Sequence, residues 1–408
     1  IQPAEAAGEV VWAPANSTAT GTSDENAAHG SGSVAGGSGI FNAFAWGTNA
    51  KATGKNSLAW GVGAKASAEN AMALGFNATA NANAALSTGT NSVASGTVAT
   101  AMGFNTTASG AHAVSMGSGT KASGSASTAM GYQSQALGQN SLAATSGVVD
   151  TAATNGIAMG YGAKAGADGA IAIGNNSYNV FGNPPVQNTT ASGQYSLAMG
   201  SRTTASGMSS TAIGSGAEAT GFNSLAMGTH ELTSTYKVVA SGNSSISMGH
   251  NSIAAGDASM ALGIESKALN RYSFAANGGI VEANASGDPG GIAIGKGAKV
   301  TGVRAFALAT NLTTGGGWGA IGNDFQWNDS GTTLASGGGA IAMGDNVTAS
   351  GWSSIAMGAR SIASGNTSIA LGSNAKASGA ASVSIHGQSA GEYSLATLGG
   401  TTDSAASN

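Results

Sequence analysis

Glycine recurs at Gly47, Gly61, Gly75, Gly89, Gly103, Gly117 and Gly131, each interval fourteen residues. The beat returns at Gly160 and Gly174, at Gly200, Gly214 and Gly228, at Gly249 and Gly263, and at Gly344, Gly358 and Gly372. A fixed period this short means that one supersecondary unit is stacked on copies of itself. A globular core assembled from distant segments would show no such beat.

Positions can be numbered from the glycine. One and three residues before it stand bulky apolar side chains: Phe44 and Trp46, Leu58 and Trp60, Met72 and Leu74, Ile171 and Ile173, Ile369 and Leu371. Two and four residues before it stand Ala and Ser. Three and five residues after it come alanines, as in Ala50/Ala52, Ala64/Ala66 and Ala375/Ala377, around a polar residue. That polar position holds Lys51, Lys65, Lys121, Lys164, Lys267, Lys299 and Lys376, half of the chain's cations, so it faces solvent. Alternation with period two marks strands with two different faces.

Each repeat therefore reads as two strands of about four residues, with a turn after each. The turns are expected to place positive φ at Asn49, Gly63 and Asn77 in one series and at Gly54, Gly96, Gly110 and Gly124 in the other. Size complementarity predicts that Leu58, Met72, Ile171, Ile369, Trp46 and Trp60 fill the interior opposite the alanines. The small-residue back of the first strand would then be a flat face open to another copy.

The composition suits such a thin coil better than an ordinary domain. Of 408 residues 67 are Gly, only 8% are charged and 5% aromatic, too little for ordinary cores or surfaces. No period of 3.6 appears, so helices are not expected. All five prolines lie outside the periodic strands, where they remove no ladder donor. A net charge of −4 gives no footprint for nucleic acid. Cysteine is absent, which excludes thiol chemistry. No apolar run approaches the roughly 20 residues that span a bilayer, and the start at Ile1 reads as a mature or excised segment.

The rhythm breaks near 146–156, 175–192, 229–242, 278–291, 310–318 and 323–339. Residues 1–40 fit the repeat poorly and are expected to form an irregular N-terminal cap; 401–408 read as a tail. The breaks hold Tyr178, Phe181, Tyr236, Trp318, Phe325 and Trp327. These six are the candidate ligand contacts, because loops on a rigid scaffold are where function concentrates and aromatics dominate recognition. Packing down over neighbouring coils competes with that role.

Tetrads such as Ser354-Ile355-Ala356-Met357-Gly358 followed by Ala363-Ser364-Gly365, then Ser368-Ile369-Ala370-Leu371-Gly372 followed by Ala377-Ser378-Gly379, resemble the YadA-like head repeat of trimeric autotransporter adhesins. The resemblance covers roughly residues 41–398, about two dozen coils with degenerate ones at Thr145, Asn277, Ala309 and His386. It implies a β-roll head over residues 41–400 that is all-β, a left-handed parallel β-solenoid of fourteen-residue coils with loop insertions. It also implies a homotrimer at the tip of an outer-membrane-anchored fibre on a Gram-negative cell. The partners implied are an extracellular matrix protein or a host or bacterial surface ligand. Stalk heptads and an anchor barrel are not visible within the chain, so membrane contact would pass through an anchor outside it.

Other chemistries fit worse. Gly61-Val62-Gly63-Ala64-Lys65 and its cognates mimic phosphate loops, but those occur once and open a helix. The histidines His29, His112, His230, His250 and His386 share no metal spacing, and no Ser stands in an elbow beside a base. Asn323-Asp324 and Asn328-Asp329 suit Asx turns better than a shared calcium ion. The sequons at Asn16, Asn77 and Asn105 follow from the abundance of turn asparagines. No catalytic, cofactor or metal residue is assigned. An ice-binding solenoid needs a regular Thr-x-Thr column, which the outward Lys, Lys, Thr, Val, Thr, Lys, Gln series breaks. A polysaccharide-cleaving parallel-β enzyme needs clustered acids, for which eighteen spread through the chain leave little.

Overall fold

The computed structural model describes residues 16–20, 26–175, 188–229, 237–283, 290–309 and 332–403. They form two compact units, Ile1–Arg202 and Thr203–Asn408. Both are built from the same parallel coil, about 24 turns in all, and no helix occurs among the described residues. None therefore is long and apolar enough to cross a membrane.

Each coil contributes one strand to each of two parallel ladders. In the first unit Leu58–Trp60 pairs with Phe44–Trp46 and Met72–Leu74, in the register Leu58↔Met72, Ala59↔Ala73 and Trp60↔Leu74. The second strands stack likewise, with Lys51↔Lys65 and Ala52↔Ala66. The Leu58 N–H donates to the Ala71 carbonyl at 3.0 Å, and the Gly61 N–H to the Trp46 carbonyl at 2.8 Å. The second unit repeats the pattern, as in Ile355↔Ile369 and Ile362↔Lys376. Every coil thus satisfies its backbone on its neighbours, which is what a parallel ladder requires.

The ladders take in residues read as cap and tail. Thr18–Thr20 pairs with Val34–Gly36, Ala27–His29 pairs with Phe44–Trp46, and Thr401–Thr402 pairs with Gln388–Ser389. Strands also resume inside several of the breaks, at Val148–Val149, Thr190–Ala191, Val238–Ala240, Ile280–Val281 and Thr333–Ala335.

The inside and outside of the coil are the reverse of the expectation from size complementarity. Ala59, Ala73, Ala356 and Ala370, two residues before the glycine, are fully buried, as are Ala64 and Ala66 after it. Ser57 and Ala71, four before it, are buried too. Leu58, Ile171 and Ile369 are only half-buried in the single chain, and Met72 is exposed. Trp46 and Trp60 are 51% and 57% exposed rather than interior. The reason is geometric. Both strands turn small residues inward, so among the described residues the space between them holds no fully buried side chain larger than valine, and the bulky positions take the opposite face by period two.

Three details confirm how tight that interior is. At three coils where Ser replaces an inward alanine of the first strand, a hydroxyl stands opposite in the second: Ser87 with Ser92 at 2.7 Å, Ser115 with Thr120 at 2.8 Å, Ser247 with Ser252 at 2.8 Å; Ser384 donates instead to the Gly387 carbonyl. Each pair satisfies groups that would otherwise be buried alone. Among the largest buried side chains are Val149, Val281 and Val300, and they face glycines. A Cβ on Gly156 would lie 2.7 Å from Val149 Cγ1; one on Gly291 would lie 2.8 Å from Val300 Cγ1. Volume is conserved coil by coil, as close packing demands.

The turns divide their labour differently from the expectation. Asn49, Gly63 and Asn77 do hold positive φ. Gly96, Gly110 and Gly124 do not; a Cβ on Gly96 would run into the Gly110 carbonyl of the next coil, so close approach fixes them. In that turn the left-handed conformation falls two residues later, at Asn56, Asn70, Val98 and His112.

Candidate interaction surfaces

With alanine filling the interior, three outward columns remain to meet the environment. The first is the bulky column of the first strands. In the single chain Phe44, Trp46, Trp60, Met72, Met102, Met159 and Met199 of the first unit are exposed, as are Met248, Ile292, Met357 and Ile385 of the second. At one end the rings stack: His29 on Trp46 at 4.5 Å between centroids, Trp46 on Trp60 at 5.6 Å. The ladder enforces this, because residues in register lie about 4.8 Å apart.

The second column is the outer side of the second strands. Lys51, Lys65, Lys121 and Lys376 are exposed there, as expected from sequence. Two lysines reach back to an acid of the preceding coil: Lys164 to Asp150 at 3.0 Å and Lys299 to Glu282 at 2.7 Å. Lys237 pairs with Glu218 in the same manner. All are solvent-facing, so each is worth about 0–1 kcal/mol. In the second unit this column also carries Val239, Ile253, Ile280, Leu334 and Ile362, half-buried.

The third column follows the glycine directly. Phe76, Phe104, Tyr132 and Tyr161 stand in it, between 52% and 59% exposed. These four belong to the periodic coils and not to the breaks that hold the six loop aromatics. The column's signal, an aromatic immediately after Gly75, Gly103, Gly131 and Gly160, was present.

The six aromatics singled out in sequence, Tyr178, Phe181, Tyr236, Trp318, Phe325 and Trp327, all lie outside the described residues. So do Asn323, Asp324, Asn328 and Asp329. Among the described residues no group of three His, Cys, Asp or Glu is placed to hold a metal ion.

A coil whose inside is alanine and whose outside carries regular columns defines a class: a β-solenoid that works by its surface. The family model for the YadA head domain repeat (2 copies) matches residues 41–64, 52–78, 66–97, 94–120, 122–144, 152–177, 191–217, 240–266, 254–275, 289–308, 335–361 and 363–385, more than half of the chain. The chain belongs to the YadA head family, a family of non-enzymatic adhesins of the bacterial cell surface. No curated protein matches it.

Proposed function

We propose that the chain is a non-catalytic adhesin head carried on a surface fibre of a Gram-negative bacterium, and that three copies assemble through the bulky column. The observation that carries this reading is that column itself. Within each unit exposed or half-exposed Met and Ile, joined in the first by Trp and Phe, recur on the outer side of the first strands, and a folded chain rarely leaves a large apolar surface without a partner. A second copy offers an identical ladder at an identical spacing, so each coil meets its counterpart. Attachment to matrix, host-cell or bacterial surfaces then gains from three linked copies, each binding modestly. The partition into cap, head with insertions, and tail belongs to the same reading, as do the six loop aromatics as ligand contacts.

The test is native mass measurement with light scattering, followed by adhesion of cells displaying the chain to immobilised matrix proteins and to other bacteria. A stable monomer would sink the assembly, and display without any gain in adhesion would sink the function.

A further inference from the structure

The column after the glycine has a second period that the fold does not require. From Gly75 to Gly160 it runs Phe76, Thr90, Phe104, Ser118, Tyr132, Ser146, Tyr161, after Thr48 and Val62 and before Asn175, so over these seven coils an aromatic stands on every second coil and a hydroxyl residue between. The rings are exposed and the hydroxyl residues half-buried, which makes a ridge of aromatics separated by slots.

The column is held rigidly. The Phe76 carbonyl accepts from the Asn91 N–H at 2.9 Å, that of Thr90 from the Asn105 N–H at 3.0 Å, that of Phe104 from the Gly119 N–H at 2.8 Å and that of Ser118 from the Gln133 N–H at 2.9 Å. Ser146 Oγ donates to the Tyr132 carbonyl at 2.8 Å. Strands Thr100–Phe104, Val114–Ser118 and Thr128–Tyr132 extend into it, with Phe104↔Ser118↔Tyr132 in register. Successive rings therefore stand about 9.6 Å apart, two strand spacings.

We infer that this ridge binds an extended, uncharged β-1,4-linked polysaccharide. Each pyranose of such a chain advances it by close to one strand spacing, so alternate sugars meet alternate coils. The apolar face of every second sugar can rest on a ring, where an aromatic offers large area at little cost in side-chain freedom. The hydroxyl residues between face the intervening sugars, whose ring oxygens and hydroxyls need polar partners. An extended peptide repeats at about 6.6–6.8 Å per two residues and falls out of step with the ridge. The column holds no charged residue from Phe76 to Tyr161, which favours a neutral chain over an anionic one. The inference rests on the adhesin reading and goes beyond it by naming the chemistry of one ligand.

The experiment is calorimetry of the intact assembly with cello- and chito-oligosaccharides of two to eight units, alongside adhesion of displaying cells. Binding should strengthen with length up to about six or seven units, the span of the ridge at one sugar per coil. Tyr132→Ala or Phe104→Ala should weaken it by about three- to tenfold, with oligomer mass and melting unchanged, and Tyr132→Phe should retain it. No binding of any length, with adhesion to protein-coated surfaces intact, overturns the inference and spares the adhesin reading; loss of both overturns both. Alanine variants that lower the melting temperature or split the assembly would show the rings packed against another copy, and would also overturn it.

Discussion

The two strands of each coil share an interior and differ on their outer sides. Inward, both present alanine or a small hydroxyl residue, fully buried at Ala59 and Ala66 alike. Outward, the first strand presents Met72 or Ile369 and the second presents Lys65 or Lys376. The difference teaches that in this coil smallness, rather than apolarity, marks the core. Apolarity lies on the outer side, where the proposed assembly would use it. The contrast is sharpest in the first unit and softer in the second, where Ile253, Ile280 and Ile362 put aliphatic side chains on the lysine side as well.

Five single substitutions would break or sharpen this contrast. The largest effect is expected from Ala370→Glu, which forces a carboxylate into an interior lined by alanine and small hydroxyl residues. Cooperative melting should be lost or lowered by several kcal/mol, followed by circular dichroism; unchanged melting would return Ala370 to the outside. Ile369→Glu, one residue away but on the outer side, should split the assembly while leaving the β-signal of the roll. Lys376→Glu in the same coil should do neither, staying within about 0.5 kcal/mol of the parent. Light scattering at several concentrations separates the pair.

A smaller effect tests the volume match. Gly291→Ala places a Cβ against Val300 and Val281 and should cost about 1–3 kcal/mol through overpacking. Adding Val300→Ala should recover most of it, and additive losses would refute the match. The smallest effect is a gain. Val98 is β-branched and holds φ +57°, a left-handed conformation in a column where Asn56, Asn70 and Asn140 also sit. Val98→Asn should stabilise the chain by about 1 kcal/mol, seen as a rise in Tm.

The period, the two strands and the outward lysines were legible in the sequence because each depends only on spacing. The direction of the first strand was not, because bulky apolar residues on one face of a strand look the same whether the face meets a core or a partner. A better signal was available. Ser87 with Ser92, and Ser115 with Thr120, are hydroxyl pairs at the spacing where other coils have two alanines, which marks the two positions as facing each other. Gly156 and Gly291 opposite valines say the same in volume. The turns were half legible: positive φ at Asn49 follows from residue preference, whereas the need for Gly96 comes from a carbonyl one coil away. The candidate contacts were sought in the breaks on the argument that uniqueness signals recognition. The ridge from Phe76 to Tyr161 lies in the regular coils except where Ser146 enters the first break, and its rhythm is twice the basic period.

The register has a consequence for how such a chain changes over generations. Residues stand in register with their counterparts one coil on, as Lys51 with Lys65 and Ala59 with Ala73. Cutting between equivalent positions of two coils and rejoining the ends deletes or duplicates whole coils while every remaining ladder still closes. Misaligned recombination between the repeats of the gene is therefore tolerated wherever it falls in phase. Coil number becomes a property that a lineage can lengthen or shorten by whole steps while the backbone ladders stay closed.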